Sequence, residues 1–83
     1  MNYFLYILKS SHQGRYYIGT ASDIDKRLIQ HNQGRVRSTK AYRPWSIVYT
    51  KIFTDKTLAR KAEINLKKNY QVRKELFGQI ENE

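Results

Sequence analysis

The side chains of this sequence that are most able to do chemistry are cationic, and they are unevenly spread. Between Lys26 and Thr54 there is no acidic residue. Seven basic residues lie in the same stretch: Lys26, Arg27, Arg35, Arg37, Lys40, Arg43 and Lys51. Over all 83 residues the formal net charge is +9. Such a chain is expected to bind polyanions, nucleic acid before an anionic membrane, although a generally basic, solvated surface is the alternative.

Arg27 and His31 lie one turn apart on a predicted helix. They flank the apolar stripe formed by Ile24 and Leu28, at the margin of the face that packs on the rest of the protein. An arginine on a helix is usually solvated, but this position favours a side chain that leans inward. A guanidinium has a permanent charge and a planar set of donors that suits a phosphate. For His31 the alternative is a helix-face histidine that hydrogen-bonds the backbone.

Composition excludes several classes of protein and of site. The chain has no cysteine, which excludes disulfides, cysteine zinc sites and thiol nucleophiles. No apolar run approaches the roughly 20 residues that cross a bilayer, so we expect no membrane association. The first residues, MNYFLYILKS, lack the basic leader and cleavage site of a signal peptide. We therefore expect a cytoplasmic protein.

The elements that must position these residues begin with a predicted hairpin. Residues 2–8 are rich in aromatic and β-branched side chains and are apolar at both parities, which is typical of a central strand covered on both faces. A turn at 10–14 and a second strand at 15–19 follow. Ser22 or Asp23 then caps a helix that ends near Gly34.

The second half of the chain predicts one strand and two helices. A basic loop at 34–44 leads into a strand at 45–53. Thr54 or Asp55 opens a helix with Glu63 on its flank, and its apolar face is formed by Leu58, Ala59, Ala62, Leu66 and Tyr70. A last helix follows from the spacing of Val72, Leu76 and Ile80. The sequence therefore predicts one α+β domain over 1–83, a small three-stranded antiparallel sheet flanked by helices in the order β-β-α-β-α-α.

Several short motifs occur together in this chain. They are F-L-Y at 4–6, Y-I-G at 17–19, Arg27 eight residues beyond that glycine, His31 one turn later, and Glu63 in the second long helix. With these motifs the chain resembles the GIY-YIG nuclease family, in particular its short single-domain branch similar to the N-terminal domain of an excinuclease. The segments H-N-Q-G, S-T-K, R-P-W and I-V-Y, which begin at residues 31, 38, 43 and 47, also match that branch. The resemblance covers about 2–77.

The resemblance implies hydrolysis of phosphodiester bonds with one divalent ion, Mg²⁺ or Mn²⁺, held by Glu63. It implies that Arg27 binds the phosphate and that Tyr6 and Tyr17 orient or deprotonate the attacking water, Tyr17 being the first choice as base. It also implies that His31 accepts or relays a proton, and that Gly19 and Thr20 support the site. For Glu63 the alternative is a helix-surface carboxylate paired with Arg60 or Lys67.

The basic loop is the predicted binding surface for the nucleic-acid backbone. Phosphate contacts of this kind position a strand without specifying its sequence. The predicted contacts are Arg35, Arg37, Ser38, Thr39, Lys40 and Arg43. Tyr42 and Trp45 could stack on an unpaired base, and for Trp45 a place in the core is the alternative.

The resemblance leads to a structure-selective endonuclease acting on DNA, in repair or recombination, as the first hypothesis. A catalytically weak or inactive module that binds DNA or RNA is the second, because Thr20 stands where some members carry a lysine that could activate a tyrosine. A third is an interaction protein whose charge serves solubility or membrane contact. A protein partner is left open.

Overall fold

The computed structural model describes residues 2–12 and 14–81. The strands are β1 (Tyr3–Ser10), β2 (Tyr16–Ala21) and β3 (Trp45–Phe53), and the helices are α1 (Ile24–Asn32), α2 (Lys56–Lys68) and α3 (Tyr70–Glu81), with a short 3-10 helix at Lys40–Tyr42. The predicted order and the α+β class are confirmed. Within the described part, no helix is both long and apolar enough to cross a bilayer.

The three strands form one antiparallel sheet in the order β2-β1-β3. The central place of β1 follows from its sequence, because successive side chains point to opposite faces and both sets are apolar. Leu5 and Ile7 are buried on one face, and Tyr6 and Leu8 are buried on the other. Both faces of the sheet must therefore be covered by helices.

The helices divide between these two faces. Leu66 of α2 packs with Leu5 and Ile7, and apolar side chains of α3 extend that cluster. On the opposite face, Ile24 and Leu28 of α1 pack against the cluster that contains Tyr6 and Leu8. Residues carried by α1 and residues carried by α2 thus approach the sheet from opposite sides.

Aspartate side chains fix where α1 and α2 begin. The Asp23 carboxylate accepts from the Lys26 backbone N–H at 3.0 Å, and the Asp55 carboxylate accepts from the Leu58 N–H at 2.9 Å. Each is one of the two residues that the sequence offered as a cap, and each satisfies a donor that a helix start leaves free. The caps set the first turns of the helices that carry Arg27 and Glu63.

One sequence prediction about α2 is wrong. The spacing predicts that Tyr70 continues its apolar face, but α2 ends at Lys68, and Tyr70 starts α3 with 64% of its surface exposed. Asn69 between them has an extended backbone, and its side-chain oxygen accepts from the Val72 N–H at 3.2 Å. An asparagine that caps the next helix in this way competes with continuation of the first.

The end of α1 is tied to the start of β3 by one side chain. The Asn32 amide donates to the Trp45 carbonyl at 3.0 Å, and its oxygen accepts from the Trp45 N–H at 2.7 Å. The Trp45 indole is buried and donates to the Thr39 carbonyl at 2.8 Å. Trp45 therefore belongs to the core, and of the two sequence alternatives the stacking platform is excluded.

Replacing Asn32 by alanine removes both hydrogen bonds to Trp45. We expect Asn32→Ala to lower the free energy of unfolding by about 1–3 kcal/mol, because the N–H and the carbonyl of Trp45 lose their partner. Urea unfolding followed by circular dichroism measures this. The matched control is Gln33→Ala, one residue on and exposed, and equal losses in the two variants would contradict the role given to Asn32.

Candidate active site

The candidate site is organised around a contact between β1 and β2. Tyr6 pairs with Gly19 across these strands. A Cβ atom at position 19 would lie 2.7 Å from the Tyr6 hydroxyl oxygen and 2.9 Å from Cε2 of Tyr17. Since such distances are a steric clash, only glycine at this position leaves both rings where they are.

The two tyrosine rings meet His31 from α1. The Tyr6 hydroxyl lies 3.0 Å from His31 Nε2. The ring centroids are 6.3 Å apart for Tyr6 and Tyr17 and 4.9 Å apart for Tyr17 and His31. The structure thus brings together three of the residues that the sequence predicted as catalytic.

His31 lies deeper than the sequence predicts. The helical spacing sets it at the margin of the buried face, yet its exposure is 0%. Its two ring nitrogens pair with the side chains of Tyr6 and Thr39, not with the backbone. The margin prediction fails because the segment after α1 folds back over this side of the helix and covers the ring.

Thr39 is part of that cover, so its predicted role as a surface contact for nucleic acid is wrong. Its exposure is 1%. The hydroxyl oxygen lies 2.7 Å from His31 Nδ1 and donates to the Val36 carbonyl at 3.3 Å. Thr39 is a buried partner of the histidine and offers no free hydroxyl to a phosphate.

The direction of the hydrogen bonds follows from these contacts. The single hydroxyl proton of Thr39 is directed to Val36, so its oxygen accepts from His31 Nδ1–H. Burial, and secondly the charge of Arg27, lower the pKa of His31 to about 4. The ring is therefore neutral at neutral pH, and its bare Nε2 accepts from the Tyr6 hydroxyl.

Tyr6 is held in its protonated form. Burial is the main cause that raises its pKa to about 12, and the charges of Tyr17 and Glu63 act in the same direction. Arg27 opposes the rise by a hydrogen bond and by its charge, without cancelling it. Tyr6 can take up a proton from water only if it passes its own proton on, and His31 is the neighbour that accepts it.

Arg27 stands beside both of these groups. Its charge lowers the pKa of Tyr6 and of His31, and its Nη1 donates to the Gln30 side chain at 2.9 Å. The side chain is partly buried and lines a cavity of about 420 Å³ that Thr20 also lines. The inward lean that the sequence predicts for Arg27 is what the structure shows.

Glu63 reaches the same strand from the other side of the sheet. One carboxylate oxygen accepts from the Thr20 hydroxyl in a long hydrogen bond of 3.4 Å, and the other is 2.7 Å from the Lys67 ammonium. The ion pair left open by the sequence is thus made with Lys67 and not with Arg60. Thr20 directly follows Gly19, so the carboxylate is tethered next to the tyrosine contact.

Glu63 is the carboxylate that fits a metal ion in this group. Among residues 2–12 and 14–81, no three His, Asp or Glu side chains cluster as a ligand set. A magnesium ion suits a site with one carboxylate because it keeps most of its water ligands. The Lys67 ammonium pairs with one of the two oxygens, and a divalent ion would compete with it for that oxygen.

The basic loop lies on the surface next to this cluster. Of the residues predicted to contact nucleic acid, the exposed ones are Arg35, Arg37, Ser38, Lys40 and Arg43. Arg43 is anchored within the loop, because its Nε donates to the Lys40 carbonyl at 2.9 Å and its guanidinium packs on Gly34. Gly34 has φ +79, and a Cβ there would lie 2.7 Å from Arg43 Nη1.

Comparison with known proteins decides the family. The sequence profile described as the GIY-YIG catalytic domain matches residues 2–75. This chain belongs to the GIY-YIG family. The resemblance seen in its motifs is confirmed, and the match identifies a nuclease-type domain.

Relatives of this GIY-YIG domain are UPF0213 proteins. One from Staphylococcus saprophyticus is 41% identical over 66 residues, which are 78% of this chain and 79% of that protein. The UPF0213 protein YazA of Bacillus subtilis is 34% identical over 77 residues, or 92% and 77% of the two chains. The solution NMR structure of a UPF0213 protein from Bacillus halodurans has a TM-score of 0.58 and 30% identity, covering 96% of this chain and 85% of that one.

Two residues of this site receive no functional role from the sequence. Asn32 lies within the H-N-Q-G motif, but only the structure shows that it holds the end of α1 to β3. The sequence indicates Lys67 only as an ion-pair partner of Glu63, and its spacing on α2 is the signal that could have marked it.

The lowered pKa of His31 predicts how stability depends on pH. Below about pH 6.5 the unfolded chain protonates this histidine, whereas the folded protein does so only near pH 4. The unfolded state thus binds more protons in that window, and the stability that neutral His31 contributes is lost as the pH falls through it. We expect the difference in unfolding free energy between the protein and His31→Gln to shrink by up to about 3 kcal/mol between neutral pH and about pH 4.

Urea unfolding of both proteins at several pH values measures this difference, and groups that titrate alike in the two proteins cancel. A difference that stays constant across the window would show that His31 is not held neutral by its surroundings.

Proposed function

We propose that this GIY-YIG domain is a metal-dependent endonuclease that hydrolyses phosphodiester bonds in DNA. The observation that carries the proposal is the position of Gly19 and Thr20. Gly19 underlies Tyr6 and Tyr17, and the next residue holds Glu63. Phenols, a guanidinium, an imidazole and a carboxylate thereby surround one short segment of β2.

Arg27 is the proposed clamp on the scissile phosphate. Its guanidinium keeps its charge at any working pH and offers two parallel donors to phosphate oxygens. The cavity that it shares with Thr20 gives a phosphate access to it. Charge that develops on the phosphate during hydrolysis is stabilised by a donor already in place.

Glu63 is the proposed ligand of one Mg²⁺ or Mn²⁺ ion. The ion supplies charge stabilisation for the phosphate and the leaving oxygen when it is bound. Thr20 supports the carboxylate by its hydroxyl, and Lys67 pairs with the other oxygen.

Tyr6 and His31 are the proposed proton path. The Tyr6 hydroxyl donates to His31 Nε2, and His31 Nδ1–H donates to Thr39. When an attacking water gives a proton to the Tyr6 oxygen, the phenol proton moves to Nε2, and the charge on the imidazolium is shared with the Thr39 hydroxyl. Tyr17 makes no such bond within the described residues. The geometry therefore favours Tyr6 as the base, whereas the sequence favours Tyr17.

The exposed basic loop supports recognition of nucleic-acid structure in place of sequence. Arginine and lysine contacts to phosphate fix the register of a strand but do not read bases. We propose branched, nicked or single-stranded DNA as the substrate, repair or recombination as the setting, and the cytoplasm as the location. RNA is the alternative ligand.

A module that binds nucleic acid without cutting it is the second candidate. The ion pair of Glu63 with Lys67, 2.7 Å long, favours it because the carboxylate is already neutralised. Thr20 at the position of a lysine in some members favours it too.

Cutting assays separate the two candidates. Branched, nicked and single-stranded DNA are incubated with the protein in magnesium, manganese or chelator, beside Glu63→Ala and Arg27→Ala. We expect cutting that needs the metal and falls by about 100-fold or more in both variants, because each removes a charge that acts on the reacting phosphate. Glu75→Ala, an exposed glutamate of α3, is the matched control and should cut normally.

Cutting that survives in Glu63→Ala would contradict the proposed site and point to a contaminating nuclease. Slower gel migration of the DNA that weakens with salt, without any cutting, would support the binding module.

A further inference from the structure

A second cavity lies on the outer side of β2, next to the candidate active site. It has a volume of about 490 Å³. Its lining includes Arg15, Tyr17, Lys67, Arg73 and Phe77. Cavities of this size are large enough for a nucleotide-sized ligand.

The cavity is strongly cationic. Arg15, Lys67 and Arg73 line it, and no carboxylate does. Within the described residues, the ion pair of Lys67 with Glu63 is the one that forms, and neither arginine has a carboxylate partner there. The two arginines therefore give the cavity an uncompensated positive charge, which favours binding of an anion.

Each arginine is oriented by contacts that leave it cationic. The Arg15 guanidinium lies over the Tyr42 ring, 4.1 Å from its centroid. Arg73 Nη1 donates to the carbonyls of Leu66 and Lys67 at the end of α2. These partners are a ring face and backbone carbonyls, so they hold the side chains in place without neutralising them. The nearby Glu81 carboxylate accepts a hydrogen bond from the Tyr16 hydroxyl at 2.7 Å. Glu81 is not among the residues that line the cavity.

Two lining residues connect this cavity with the candidate active site. Tyr17 lines the cavity, and its ring lies 4.9 Å from the His31 ring between centroids. Lys67 lines the cavity and pairs with Glu63. The cavity and the candidate active site therefore lie along the same edge strand, β2, and share contacts through Tyr17 and Lys67.

We propose that the cavity binds a phosphate of the nucleic-acid strand that flanks the phosphodiester to be cut. The inference rests on the proposed function and names a contact of that same substrate. Arg15 and Arg73 supply planar donors for the phosphate oxygens, and Lys67 adds a point charge from the side of Glu63.

The test uses single phosphates made neutral. A fluorescent single-stranded oligonucleotide, with one methylphosphonate at each position in turn, is bound in chelator and followed by anisotropy. We expect binding to depend on one phosphate, to one side of the phosphodiester that is cut when magnesium is supplied. Its neutralisation should weaken binding to the wild-type protein, and it should weaken binding to Arg15→Gln or Arg73→Gln by a clearly smaller factor because one of the contacts is already lost.

Salt dependence provides an independent readout. Each phosphate contact to a single strand contributes about 0.7 to the slope of log affinity against log salt, so Arg15→Gln should flatten that slope by about 0.7. Lys56→Gln removes the same charge from the opposite end of α2, about 16 Å from Lys67 along the axis, and should leave the slope unchanged. The Arg73→Gln variant also loses the hydrogen bonds of Arg73 to α2 and could fail to fold for that reason. The Arg15 side chain makes no hydrogen bonds to α2, so Arg15→Gln then tests the inference by itself.

A penalty for the neutral phosphate that is as large in Arg15→Gln as in the wild-type protein, or a slope equal to that of Lys56→Gln, overturns the inference. If wild type still cuts DNA in that case, the proposed function stands and only the cavity is misassigned. If the wild-type protein neither binds nor cuts any nucleic acid, both fail together. Affinity that does not respond to any single phosphate also overturns the inference.

Discussion

The arrangement of the candidate active site depends on having glycine, which has no side chain, at position 19. The Tyr6 hydroxyl lies in the space that a Cβ at Gly19 would enter. From there the phenol reaches His31 on α1 at 3.0 Å, while the neighbouring Thr20 holds Glu63 of α2 on the other side of the sheet. Because β2 is an edge strand, groups from both layers can meet around it. The edge of the sheet is what allows two separated helices to serve one site.

Burial then decides which of these groups carry charge. Tyr6 and His31 are removed from water, and for both the neutral form is favoured, with the pKa of Tyr6 raised and that of His31 lowered. The permanent positive charges remain nearer the surface, on Arg27 and on the exposed loop that follows α1. A neutral, hydrogen-bonded interior beside a cationic rim suits an anionic substrate whose reacting group must be held while a proton moves.

The sequence predicts features that follow from local patterns. Apolar residues at both parities identify β1 as the central strand, and Asp23 and Asp55 are among the expected caps. It does not predict how deep His31 lies, or that Thr39 is its partner, because both depend on the path of the loop over α1. The register that sets Tyr6 opposite Gly19 is also a long-range property. For the same reason the sequence does not reveal the cationic cavity, since Arg15, Lys67 and Arg73 come from distant parts of the chain.

The central claim is that the Glu63 carboxylate of α2 and the Tyr6 and His31 rings on the α1 side of the sheet form one site around β2. Paramagnetic broadening of backbone amide signals by Mn²⁺ tests it most directly, with Glu63→Gln as the isosteric control. The account predicts that the signals of Gly19, Thr20 and Glu63 broaden first, and that the effect disappears in the control. Broadening centred on Asp23 at the start of α1, with Gly19 and Thr20 unchanged, would contradict it.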